Sequence, residues 1–161
     1  MNHSTRIMTN DDIVAVVAII RAHDAFDGQR SQWYFNEYFG DKQRMHSDDQ
    51  QNHVVVHRET GAVVGVCGFS PDKYKTPNIF WLNWLYIDSG YQRQGLGGML
   101  LEHALHCLRS RNCRKLYLDT SSDPKYQPAM DFYAKAGFDV EGRLKDYYDP
   151  GEDYLILGKV L

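Results

Sequence analysis

The stretch WLYIDSGYQRQGLGGMLLEHAL, Trp84 to Leu105, constrains the fold more than any other part of the chain. An apolar, strand-like run ends at Ile87. Gly95, Gly97 and Gly98 then sit where a long helix must begin, directly after Gln92, Arg93 and Gln94. Glycine costs roughly 1 kcal/mol in a helix interior, so a glycine cluster at a helix start calls for a reason. The first backbone N–H groups of a helix have no partner within it, and they lie at the positive end of its dipole. With side chains removed there, the backbone can close around a phosphate and touch it directly. Arg93 adds charge or faces solvent. The stretch reads as a pyrophosphate cradle between a central strand and a long helix.

Three other readings compete. A dinucleotide fingerprint needs G-x-G-x-x-G close behind a strand, and here the sixth position is Leu100. Asp119 does lie roughly where a ribose-binding acid would. A P-loop requires a Lys-Ser/Thr pair after the glycines, which the chain lacks. The plain structural alternative is that the glycines only permit tight packing of helix on strand.

The remaining elements follow from periodicity and turn chemistry. A first strand is expected over Thr5–Met8, then a helix capped by Asn10, Asp11 or Asp12 with Ile13, Val16, Val17 and Ile20 on its apolar face. A second helix is expected over Arg30–Gly40, followed by a polar loop from Lys42 to Asn52. Val-rich runs around Glu59-Thr60-Gly61 read as a hairpin. Ile79–Ile87 reads as a central strand apolar on both faces, and Gly95–Asn112 as the longest helix. Lys115–Thr120 is a strand, Gln127–Gly137 a short helix stopped by Gly137, and two strands close the chain. The order implies an α/β fold: a mixed, mostly antiparallel central sheet flanked by helices, in a single domain over 1–161.

Composition narrows the class of function. With a net charge of −3 and a pI near 6.1, the chain has no basic excess suited to nucleic acid. It has no apolar run long enough to span a membrane. The segment MNHSTRIMTN has no apolar signal core, so a cytoplasmic location is expected. Cys67, Cys107 and Cys113 form no C-x-x-C pair and read as reduced, mostly buried thiols.

A second motif selects among the readings of the glycine cluster. QRQGLG, Gln92–Gly97, resembles the Q/R-x-x-G-x-G/A signature of the GNAT family of N-acetyltransferases. AMDFYAKAGF, Ala129–Phe138, is similar to that family's second signature, a short helix bearing a Tyr and followed by Gly-Phe into a strand. The resemblance implies the GNAT fold and acetyl-CoA as co-substrate. It implies that Arg93, Gln94, Gly95, Leu96, Gly97 and Gly98 bind the pyrophosphate, and that Leu85, Tyr86 and Ile87 pair with the pantetheine arm through their backbone. It assigns Tyr133 the role of general acid toward the departing thiolate. Many relatives carry a Glu a dozen residues before that Tyr and an Asn seven before it; this chain has Ser121 and Tyr126. Ser121, Asp119 and Asp123 are therefore the candidates around the general base, and Tyr126 stands at a cofactor-side position. Asp119 could equally cap a strand end, and Asp123 could start the Asp-Pro turn.

In that family the acceptor amine lies against the first two helices and the loop before the last strand. The matching segments here are DAFDGQRSQWYFNEYF and KDYYDPGED. Trp33, Tyr34, Glu37 and Tyr147 are the named substrate candidates, with Asp24 and Asp27 adding negative charge, since aromatic faces beside carboxylates suit a cationic amine. Each of these aromatics could instead be core. The acceptor is a small amine or a protein N-terminus, and the Tyr147-Tyr148 pair is similar to the branch acting on ribosomal-protein N-termini. A CoA-binding sensor without catalysis, a transferase of longer acyl groups and a homodimeric state all stay open. His103, His106 and Cys107 lie close on the long helix, but with no H-E-x-x-H or Cys-rich cluster a solvated face is favoured over a metal site, and no metal is expected.

Overall fold

The computed structural model describes residues 2–41 and 49–161. The strands are β1 (His3–Ile7), β2 (Gln51–His57), β3 (Val63–Pro71), β4 (Ile79–Ile87), β5 (Lys115–Ser121), β6 (Asp139–Asp149) and β7 (Glu152–Val160). The α-helices are α1 (Ile13–His23), α2 (Ala25–Gly40), α3 (Leu96–Arg109) and α4 (Gln127–Lys135). The strands form a mixed sheet in the order β1-β2-β3-β4-β5-β7-β6. The pairs β1–β2, β2–β3, β5–β7 and β6–β7 are antiparallel, and β4–β5 is parallel. Among the described residues no helix is long and apolar enough to cross a membrane.

The chain divides into two compact units, residues 1–70 with 82–111 and residues 71–81 with 112–161. The first is built on Met8, Val16, Val17, Ile20, Phe35, Val54 and Val66, a cluster buried between 0% and 5% exposure. Its first helix starts where Asp12, itself buried, accepts from both Arg6 guanidinium nitrogens at 2.6 and 2.8 Å and from the Thr9 N–H at 2.8 Å. Burial works against ionisation of this carboxyl; the Arg6 and Thr9 donors outweigh it and hold its pKa below the ordinary carboxylate value. In the second unit Leu116, Leu118, Phe138, Leu155 and Leu157 are buried. The β4–β5 ladder, Ile79–Trp81 opposite Lys115–Tyr117, lies within it.

Several boundaries differ from the sequence expectation. Strand β1 spans His3–Ile7 rather than Thr5–Met8, and Met8 is a buried core residue after its end. Helix α2 begins at Ala25, not Arg30, because the Asp24 side chain accepts from the Asp27 N–H and caps it. The expected polar loop Lys42–Asn52 falls partly on residues 42–48, outside the described residues. Its last two residues belong to β2, where Gln51 and Asn52 pair with Phe69 and Gly68. Tyr147 and Tyr148, expected in a turn, lie in β6, which runs to Asp149 and leaves only Pro150 and Gly151 between the strands. Asp153 extends this hairpin: it is buried, pairs with Arg143 and accepts from the Asp146 N–H at 2.8 Å.

Candidate active site

The cradle region belongs to the first unit. After β4 the Asp88 N–H bonds the Val64 carbonyl at 2.9 Å, and the Asp88 side chain accepts from the Gly90 N–H at 2.8 Å. A short 3-10 turn, Ser89–Tyr91, follows. Arg93 adopts φ 59° and Gly95 φ 80°, so the chain reaches α3 through two left-handed residues. At Gly95 that conformation disfavours any L side chain. Gly95 is the N-cap and carries no capping side chain, and the first turn holds no acid. The first bond of the helix runs from Met99 N–H to the Gly95 carbonyl at 3.0 Å. The N–H groups of Leu96, Gly97 and Gly98 therefore have no acceptor within the helix. A Cβ built on Gly95 or Gly98 would meet nothing within 4 Å. The open face, the free helical donors and the dipole together suit a phosphate group.

The second half of β4 is fixed from the α1–α2 side. The His23 Nε2–H donates to the Ile87 carbonyl at 2.8 Å, and the Gln92 amide reaches the same oxygen at 3.4 Å. The Tyr86 hydroxyl donates to Asp27 of α2 at 2.6 Å. Trp84 has φ 53°, an irregularity within β4 just before Leu85, Tyr86 and Ile87. His23 was not expected at the site, and Asp27 was expected only as negative charge beside the aromatic block of α2. Their roles depend on contacts across about sixty positions of chain, which no local motif announces.

The aromatic block of α2 separates into two sets. Phe35 and Tyr38 are core. Tyr34 is half-buried against Trp84, and its hydroxyl accepts from the Gln50 amide at 3.0 Å. Trp33 is 65% exposed and Glu37 is exposed.

The second unit carries the other candidates. Tyr133, half-buried in α4, has its ring 5.3 Å from Phe132 and 5.7 Å from Phe138. The Tyr133 carbonyl accepts from the Phe138 N–H at 3.0 Å while Gly137 takes φ 83°, a left-handed stop that fixes the end of the helix. Tyr126 lies in the 3-10 turn Pro124–Tyr126 before α4, half-buried. Asp119 is exposed, and Asp123 caps that turn by accepting from the Lys125 N–H at 2.8 Å. Ser121 is buried; its hydroxyl donates to Glu152 at 2.5 Å and accepts from the Asp123 N–H at 2.9 Å. Glu152, half-buried at the start of β7, is thus a carboxylate brought to the Ser121 position by strand pairing. Sequence reading missed it, because Glu152 is distant in the chain and falls in an acidic turn segment. Tyr147 and Tyr148 form an exposed aromatic cluster with Tyr154, with ring centroids 5.0 to 6.1 Å apart.

The expectation of a solvated face for His103, His106 and Cys107 holds for His106 alone. His103 and Cys107 are half-buried, and the His103 ring packs edge-on against His53 of β2, 4.5 Å between centroids. The helix's apolar stripe is wide enough to carry these two side chains onto the sheet.

The family model for the acetyltransferase (GNAT) family matches residues 13–138. The [ribosomal protein bS18]-alanine N-acetyltransferase of Escherichia coli strain K12 is 35% identical over 74 residues, covering 44% of this chain and 49% of that protein. The chain thus spans about half the length of that relative. A solved structure from Desulfovibrio desulfuricans assigned to the GNAT family superposes with a TM-score of 0.86 at 24% identity, covering 98% of both chains. An aminoglycoside 6'-N-acetyltransferase complexed with coenzyme A superposes at 0.75 with 16% identity, covering 98% of this chain and 96% of that one. At these identities the two structures show a shared fold.

Proposed function

The chain belongs to the GNAT family of acetyltransferases, and from that premise we propose that it transfers the acetyl group of acetyl-CoA to the α-amino group of a protein or peptide N-terminus. The observation that carries the acetyl-CoA half is the open, uncapped start of α3 with its glycine-lined N–H groups. Acetyl-CoA supplies an acyl carbon already activated as a thioester. The chain's own residues hold the pyrophosphate at Arg93–Gly98, offer the Leu85–Ile87 backbone to the pantetheine arm, and move two protons. The amine nitrogen forms a bond to the carbonyl carbon, and the carbon–sulfur bond breaks. The amine's proton passes to Glu152, held by Ser121, and the Tyr133 hydroxyl protonates the departing sulfur.

Three observations favour an α-amine as acceptor. The E. coli relative is named for acetylation of a ribosomal-protein alanine. Exposed Tyr147 and Tyr148, packed against half-buried Tyr154, offer flat apolar faces to a peptide. The third is chemical: an α-amino group titrates near 8, so about a tenth is neutral at pH 7, against well under 0.1% of a lysine. A site with Ser at the position of the family's Glu, and its carboxylate supplied from β7, suits the amine that asks less of a base.

Free-thiol release from acetyl-CoA, measured across unblocked peptides, lysine side-chain mimics and polyamines, tests this reading. Turnover should appear with the peptides and disappear when their N-terminus is blocked. Turnover with polyamines alone would overturn the acceptor. CoA binding without thiol release under any amine would leave a sensor module in place of an enzyme.

A further inference from the structure

We propose that His53, His103 and Cys107 form a binding site for one borderline-soft divalent cation of the zinc class, which pins α3 to β2. His103 and Cys107 stand one helical turn apart on α3, and His53 faces them from β2. One donor atom from each lies within 4.8 Å of the other two. The Cys107 Sγ is 3.8 Å from the His103 Nε2. Around a tetrahedral zinc, with Zn–S near 2.3 Å and Zn–N near 2.0 Å, such a pair stands about 3.5 Å apart. Only small side-chain rotations separate this arrangement from a coordination shell.

A second observation points the same way. His53 is 3% exposed, and its Nδ1 is buried with no hydrogen-bond partner among the described residues. A buried nitrogen left unsatisfied destabilises the fold, and a cation bound by that ring would offset the cost. Burial, with His103 and Arg111 nearby, also keeps the His53 imidazole neutral at physiological pH, the form that binds metal. Two imidazoles and a thiolate are a nitrogen–sulfur set that selects zinc-class ions over magnesium or calcium.

The charges facing the site set its behaviour. Arg111 donates to the Cys107 carbonyl at 2.6 Å and lies over Phe69, which stacks on His53. Its positive charge opposes a cation, and His106 on the same helix adds to that when protonated. Cys107 binds a cation as the thiolate, which offsets one positive charge. The site is about 12 Å along α3 from Gly95, at 1.5 Å per residue. It is therefore separate from the phosphate cradle, and occupancy should leave acetyl-CoA affinity unchanged.

Cobalt(II) titration of the full chain, stripped of metal with chelator, tests the proposal. The expected result is a thiolate-to-cobalt absorption band that saturates at one equivalent and is displaced by zinc. His103→Gln and Cys107→Ser should each weaken binding at least tenfold, whereas Cys113→Ser should not. Zinc should raise the melting temperature of the wild type and of neither site variant. Absence of a saturable band in the wild-type protein, or a band that survives Cys107→Ser, would overturn the site.

Discussion

Tyr133→Phe keeps the ring between Phe132 and Phe138 and removes only the hydroxyl. General acid catalysis contributes about 10²–10⁴-fold, and a thiolate is already a fair leaving group, so a fall in kcat of about 10² is expected with CoA affinity and melting temperature unchanged. Glu152→Gln keeps an acceptor for Ser121 but cannot take a proton; it should lower kcat by a similar factor. Steady-state rates across pH decide both, and full activity in either variant would remove that residue from the mechanism. His53 supplies a separate prediction in stability. Burial first, then His103 and Arg111, push its pKa down to about 4, whereas the unfolded imidazole titrates near 6.5. Between those values the unfolded chain holds the extra proton, so stability falls as pH drops through this window, by about 3 kcal/mol in all. Urea unfolding from pH 4 to 7 in chelator should show that slope in the wild type and a flatter one in His53→Gln; an equal slope in both would assign it elsewhere. Legibility at this scale followed chain distance. Tyr133 announced itself through its flanking motif. His23, Asp27, Glu152 and the contact between His53 and His103 depend on strand pairing and helix packing that no short window contains.

Among the elements, α3 and β4 were the most legible, because an apolar run and a glycine cluster each serve one geometric need. The long helix ends where its periodic stripe of Leu100, Leu101, Ala104, Leu105 and Leu108 ends. Elements with polar ends were harder to place. The start of β2 looks like loop because Gln51 and Asn52 are polar, yet they pair with Phe69 and Gly68. The far end of β6 looks like turn because KDYYDPG is rich in turn formers, yet Asp153 anchors it from β7. The short helix α4 carries its own test. Gly137 at φ 83° ends it and lets the Phe138 N–H reach the Tyr133 carbonyl. Gly137→Ala forces a side chain into the left-handed region at a cost of about 1–2 kcal/mol. Thermal unfolding should show a lower melting temperature, with kcat reduced because Tyr133 is held by that stop. An unchanged melting temperature would mean that the stop contributes nothing.

For the whole molecule, a mixed sheet flanked by helices was accessible from the order of elements, and the family from two short signatures in the right sequence. The match to the family spans residues 13–138, which contain both signatures. The division of the chain into two compact units was not legible, because β4 has one continuous apolar pattern although its start and its end belong to different units. In the proposed function, the open N-terminus of α3 in the first unit is the phosphate cradle of acetyl-CoA. Gly98 offers the cleanest measurement, since a Cβ there meets nothing within 4 Å and Val is at least as good a helix former as Gly. Calorimetric titration of acetyl-CoA into wild-type protein and Gly98→Val, with melting temperatures recorded for both, decides it. A phosphate cradle at α3 predicts at least a tenfold loss of affinity at an unchanged or slightly raised melting temperature; equal affinity in the folded variant would rule the cradle out.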